Sequence, residues 1–125
     1  MKSMGKDNVV IVSGARTAVG KFAGSLKEYE ASDLAAFAIK AAYERAGIPA
    51  EDIDEVVMGN VASAAENAFM ARLSSVKAGI PYEAGAITVN RLCSSGLQAI
   101  VTGAMEIQCG FADIVAAGGG ESMDN

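Results

Sequence analysis

The sequence predicts a layered α/β fold with a largely parallel sheet. Two observations carry that expectation. Short apolar runs of strand length alternate with longer stretches of helical period, the pattern of strands joined by crossover helices. Fourteen glycines stand against two prolines, which suits a chain of tight turns and close helix-on-sheet approach.

The elements follow in order. Val9–Ser13 (VVIVS) is a short apolar run bounded by Gly14, so it reads as a buried strand. Gly14–Leu26 holds three glycines without a sustained period and reads as a long loop. Ser32 is placed to cap a helix running to about Ala46, with Asp33 in its first turn. Leu34, Phe37, Ala38, Ala41 and Ala42 keep helical spacing, and Gly47 with Pro49 ends the helix. Glu55–Val61 reads as a strand and Asn67–Ala78 as a helix closed by Gly79 and Pro81. Ala86–Asn90 is the next strand, Cys93–Cys109 a helix closed by Gly110, and Asp113–Ala117 a last strand running into Gly118, Gly119 and Gly120.

Composition bounds the chemistry. An apolar share of 51% against 20% charged residues provides for a core and argues against disorder. At 125 residues the chain reads as one domain, 1–125. A net charge of −5 with no local basic cluster speaks against a nucleic-acid partner. No apolar run is long enough to span a membrane. The first residues, MKSMGKDN, are polar and carry no apolar leader, so the expected location is cytoplasmic. Two cysteines without a leader do not make a disulfide framework. The absence of histidine excludes a Cys–His pair within this chain and the usual histidine metal site, so no metal is expected.

The strongest chemical signal is VNRLCSSGLQAI, Val89–Ile100. A buried strand ends, the chain turns, and a helix begins near Cys93. A helix start has unpaired N–H groups and about half a positive charge, both of which favour a thiolate over a thiol. Ser94, Ser95 and Gly96 leave room for a substrate over the sulfur. The alternative is a small buried hydrophobe, the common state of a free cysteine. The strand–turn–helix setting leaves the two readings level. In the helix that follows, Leu97, Ala99, Ile100, Val101, Ala104, Met105 and Ile107 cover most of the surface, and Gln98, Thr102 and Glu106 form one narrow polar stripe. Such a helix is expected to be buried on most sides.

VNRLCSSGLQAI is similar to the acyl-enzyme signature of thiolases. SGARTAVGKFAGSL, GIPAEDIDEVVMGNV, ARLSSVKAGIP and AAGGGESMDN resemble further stretches of the same family, in the same order, across nearly the whole chain. The resemblance implies a thiolase-like layered fold with a mostly parallel mixed sheet and a buried helix layer, this chain being most of its N-terminal half. It also implies acyl transfer between acyl-CoA and CoA or acetyl-CoA, with Cys93 forming an acyl-thioester. The reaction is thiolysis of 3-ketoacyl-CoA or its reverse, a Claisen condensation. Coenzyme A thioesters would be substrates, and no permanently bound cofactor is implied. Thiolases resemble longer, two-halved chains whose C-terminal half supplies an activating histidine and a second cysteine. Neither motif occurs here, so a C-terminal segment or second chain is expected as partner, in a homo- or hetero-oligomer. Cys109 cannot stand in for the second cysteine: sixteen residues along one helix is about 24 Å at 1.5 Å per residue. It is expected to pack in the core. The sequence departs from the family wording at Ala18, at Asn67–Met70 and at Asp124.

Other signals are weaker. Gly14–Lys21 has the wrong glycine spacing for a phosphate loop, and Phe22 replaces the hydroxyl residue after lysine. GGGESMDN lacks the strand–GxGxxG–helix context of a dinucleotide site. Arg16 and Arg91 could meet an anion, though ion pairs or subunit contacts are the ordinary roles. Glu66, Glu121 and Asp124 read as solvated carboxylates. The residues that would bind coenzyme A are not assigned by sequence. Two alternatives stand beside the thiolase reading: a ketoacyl synthase-like condensing enzyme, and a non-catalytic scaffold subunit of the same fold.

Overall fold

The computed structural model describes residues 8–125. The N-terminal stretch read above as lacking a leader falls almost wholly in residues 1–7, outside the described residues. The elements are α1 (Ala31–Arg45), a 3-10 turn (Ala50–Asp52), β1 (Glu55–Gly59), a second 3-10 turn (Ala65–Phe69), α2 (Met70–Lys77), β2 (Gly85–Val89), α3 (Ser95–Gln108) and β3 (Val115–Gly119).

The three strands form one parallel sheet in the order β2-β1-β3. The central strand β1 is buried along its whole length, and the two-residue period of a strand divides it between the layers. Val56 and Met58 join the core built with Ala31, Ala35 and Ile39 of α1 and Met70 and Ala71 of α2. Glu55, Val57 and Gly59 point to the opposite face, which α3 covers. The result is an α/β/α sandwich, the α/β class expected from the sequence.

Local chemistry explains the boundaries. All three helices end in the same six-to-one closure with a glycine in the left-handed region: Gly47 at φ 68, Gly79 at φ 87 and Gly110 at φ 78. The N–H of Ile48, Ile80 and Phe111 then reaches back to the carbonyl of Tyr43, Ser75 and Glu106 respectively. The start of α1 differs from expectation. Glu30 is its N-cap and Asp33 Oδ2 accepts the Glu30 N–H at 2.9 Å, a capping-box arrangement. Ser32 lies inside the first turn, buried, where its Oγ accepts from Lys77 Nζ at 2.6 Å. The helix expected over Asn67–Ala78 opens as a 3-10 turn, and α2 starts at Met70. The Ala71 N–H is satisfied there by Thr88 Oγ1 at 3.0 Å. Strand β3 lies two residues later than expected. Asp54 Oδ2 accepts the N–H of Asp113 and of Ile114, so those residues are held by a side chain, and the ladder continues into Gly118 and Gly119 opposite Met58 and Gly59.

Two expectations about burial need correction. Val9–Ser13 is not a strand. Val10, Ile11 and Val12 are 69%, 80% and 67% exposed, and the run lines one wall of a 460 Å³ groove whose other walls include Ala42, Gly103, Ile107 and Val115. A run apolar on both sides needs packing on both sides, and the described residues offer it one. Likewise α3 buries only Ser95, Ala99 and Gly103, while Leu97, Ile100, Val101 and Met105 are exposed on its outer side. The burial on most sides expected of this helix is not supplied by the described residues.

Candidate active site

The site is built at the carboxyl ends of the strands, the edge where open parallel α/β sheets bind ligands. Its floor is made of glycine. A Cβ placed on Gly59, the last residue of β1, would lie 2.5 Å from the carbonyl carbon and oxygen of Ser95, the first residue of α3. A Cβ on Gly119, the last residue of β3, would lie 3.1 Å from the Gly96 Cα. Gly59 and Gly119 are register partners, so two strand ends without side chains lie side by side and let the backbone of α3 rest directly on the sheet.

Cys93 sits just ahead of that contact, in the turn joining β2 to α3, and is exposed. The helix starts at Ser95 with Ser94 as its cap, two residues later than expected. Leu92, immediately before the cysteine, adopts φ 50, a conformation that costs a side-chain-bearing residue on the order of 1 kcal/mol. Hydrogen bonds close in on the turn from both ends. Asn90 Oδ1 accepts the Leu92 N–H at 3.0 Å, and the Ser94 N–H donates to the Arg91 carbonyl at 3.1 Å. Ser95 Oγ accepts the Arg91 N–H at 2.7 Å and donates to the Leu92 carbonyl at 2.6 Å.

A second polar cluster ties β1 to the chain beyond β3. Asn60 follows β1 and is fully buried. Its Nδ2 donates to the Gly120 carbonyl at 3.0 Å and to Glu121 Oε2 at 3.3 Å. Glu121 also accepts the backbone N–H of Val61 and Ala62. The equivalent residue after β2, Asn90, donates from Nδ2 to the Val61 carbonyl at 3.3 Å. An asparagine therefore follows each of the two neighbouring strands and pins the loop that leaves β1. Sequence reasoning missed Asn60 and set Glu121 aside as a solvated carboxylate. The available signal was a polar residue with no turn partner directly after the apolar run Val56–Met58 and Gly59.

The remaining candidates are dispersed. Arg91 Nη1 donates to Gln98 Oε1, which leads along the polar stripe to Thr102. Neither Arg16 nor Arg91 is in an ion pair among the described residues; the pair found there is Lys77–Asp33 at 2.9 Å. Asp124 Oδ1 accepts the Ala23 N–H and so ties the long loop to the C-terminal segment. Glu66 lies in the second 3-10 turn. Cys109 is exposed at the C-cap of α3, not packed in the core as expected, because the helix ends there beyond the sheet. It stands at the opposite end of α3 from Cys93, and both thiols are free. No group of three or more His, Cys, Asp or Glu residues suited to a metal occurs among the described residues. No described helix is long and apolar enough to cross a membrane.

A parallel α/β layer with an exposed cysteine at its carboxyl edge, ahead of a helix seated on glycines, defines the class: an α/β protein with a free, exposed cysteine at the strand ends. Residues 9–125 match the family described as "Thiolase, N-terminal domain", and the chain belongs to the thiolase family. It is 51% identical over 116 residues to an acetyl-CoA acetyltransferase of Cupriavidus necator, covering 93% of this chain and 30% of that protein. It is 52% identical over 117 residues to a cytosolic acetyl-CoA acetyltransferase of Gibberella zeae, with 94% and 30% covered. A mitochondrial acetyl-CoA acetyltransferase of Rattus norvegicus is 44% identical over 119 residues, with 95% and 28% covered. The chain thus spans less than a third of the length of these relatives.

Proposed function

We propose that this chain carries the nucleophile of a coenzyme A-dependent acyltransferase, and that Cys93 is that nucleophile. The observation that carries the reading is the exposed Cys93 at the carboxyl edge of the sheet, in a turn held by hydrogen bonds on both sides. The relatives named as acetyl-CoA acetyltransferases give the substrate class. In the proposed reaction the Cys93 thiolate attacks the acyl carbonyl carbon of an acyl-CoA or 3-ketoacyl-CoA. A carbon–sulfur bond forms at Cys93, and the bond to the departing CoA thiolate or acetyl-CoA enolate breaks. The acyl-thioester then passes its acyl group to CoA, which is thiolysis, or to the α-carbon of acetyl-CoA, which is Claisen condensation. Coenzyme A thioesters enter as substrates, with no permanently bound cofactor.

The chain has no histidine, so the proton taken from Cys93 and the proton moved at the α-carbon are handled in this reading by groups outside it. A C-terminal thiolase segment or second polypeptide supplies the histidine and the second cysteine, and the isolated chain is inactive. The proposal includes an oligomeric assembly in the cytoplasm, in keeping with the cytosolic relative, and a role in fatty acid metabolism.

The test is chemical. The native assembly is incubated with acetyl-CoA, digested, and the Cys93 peptide weighed. An added acetyl group on that peptide is the expected result. Retained turnover of acetoacetyl-CoA in Cys93→Ser would refute the assignment, and full activity of the 125 residues alone would refute the need for a partner.

A further inference from the structure

We infer that Ser95 is the positioning residue for the Cys93 sulfur, acting through Leu92. The inference rests on the proposed role of Cys93 and adds a residue to it. Ser95 is 5% exposed, yet its hydroxyl is saturated toward the cysteine turn. It accepts from the Arg91 N–H at 2.7 Å and donates to the Leu92 carbonyl at 2.6 Å, and the Ser95 backbone N–H donates to that same carbonyl at 3.0 Å. A serine at the head of a helix more often bonds its own helix N-terminus. This one reaches backward, over the cysteine, to the two residues that precede it.

Leu92 is where such a hold is needed. Its φ of 50 is unfavourable for a residue with a side chain and persists only where neighbours over-determine it. Three hydrogen bonds restrain it: its N–H donates to Asn90 Oδ1, and its carbonyl accepts two from Ser95. Ser95 is in turn fixed, because its backbone presses on Gly59 at a distance that admits no side chain between them. The line from the sheet to the sulfur is therefore Gly59, Ser95, Leu92, Cys93. Without the hydroxyl, Leu92 can relax toward negative φ, and the peptide that carries the sulfur turns with it. A misplacement of about 1 Å at a reacting atom can cost on the order of 100-fold in rate, and that loss falls on the chemical step, not on substrate binding.

The experiment uses the native assembly and acetoacetyl-CoA thiolysis, with acetylation of the Cys93 peptide measured in parallel. Ser95→Ala is expected to lower kcat about ten-fold or more with KM within about two-fold. Adding Leu92→Gly to Ser95→Ala is expected to recover several-fold of that loss, because glycine adopts φ 50 at no steric cost. A serine that served only stability would gain nothing from glycine at position 92. A kcat for Ser95→Ala within two-fold of the parent would overturn the inference, as would a loss that Leu92→Gly leaves untouched. Should Ser95→Ala fail to fold, Ser95→Thr, which keeps the hydroxyl, decides: retained kcat supports the inference, and a ten-fold loss in the folded variant overturns it. A parent Cys93 that takes no acetyl group would sink the proposed function itself. An acetylated parent with an unaffected Ser95→Ala would sink only the role of Ser95.

Discussion

Gly59 and Ser95 meet backbone to backbone: a single methyl group on the glycine would overlap the serine carbonyl at 2.5 Å. Neither atom can give way, since one belongs to the central buried strand and the other to the first turn of α3. Gly59→Ala is expected to destabilise the protein by roughly 2 kcal/mol or more, at the upper part of the range for overpacking a rigid contact. Gly96→Ala is the control. Its nearest neighbour would be the Gly119 Cα at 4.0 Å, ordinary contact, and alanine is the better helix former by about 1 kcal/mol. Denaturant midpoints at unchanged m-value check the pair. Equal effects from the two substitutions would contradict the close approach.

Asn60 is specific as an amide. Its buried Nδ2 faces the Gly120 carbonyl and Glu121 Oε2, so both neighbours are acceptors. Asn60→Asp replaces the donor by oxygen at nearly constant volume and leaves a carboxylate without a cation in a fully buried position. A loss of roughly 3 kcal/mol or more is expected, the scale for an uncompensated buried charge. Chemical denaturation at neutral pH measures it. Asn60→Ala should cost less, because it removes the bonds without adding the charge.

Glu55 and Glu106 face one another across β1 and α3 at the amino edge of the sheet. Burial, followed by the repulsion and hydrogen bonding of Glu55, raises the Glu106 carboxyl from an ordinary 4.5 to about 7. Glu106 Oε2 is buried without a hydrogen-bond partner, a setting that favours the neutral carboxyl over the carboxylate. Strands β2 and β3 carry no titratable side chain. The folded state therefore holds a proton that the unfolded chain releases between pH 4.5 and 7. Stability from this group is fully present below pH 4.5 and is lost as pH rises through about 7. Glu106→Gln, which keeps a donor at every pH, should raise Tm by a few degrees at pH 8 and little at pH 4.5. Thermal unfolding across that range checks it, and an unchanged pH profile in the variant would refute the raised Glu106 carboxyl.

Much of this arrangement was legible in local pattern. The alternation of strand-length and helix-length segments, the three glycine stops at Gly47, Gly79 and Gly110, and the placement of Cys93 between a strand and a helix all depend on residues close together in the chain. Where expectation and structure part, the cause is distant in sequence. Ser32 was displaced as cap by Glu30 with Asp33 and was drawn instead to Lys77, forty-five residues away. Val9–Ser13 has the composition of a strand, but no ladder partner lies beside it among the described residues. Cys109 looks like core material and is exposed, because helix α3 ends past the sheet. Asn60 and Glu121 lie sixty-one residues apart and become one cluster only when β1 and β3 pair.

The sequence by itself determined the alternation of helix and strand from Ala31 onward, where each helix stops, and which cysteine stands just ahead of a helix, since propensity, period and capping act over a few residues. Only the tertiary structure decided that β1 lies between β2 and β3, that Gly59 and Gly119 come together under α3, and that Ser95 turns its hydroxyl back toward Leu92. Those outcomes depend on which backbones can approach within van der Waals distance, a condition set by residues up to sixty positions apart that no local pattern encodes.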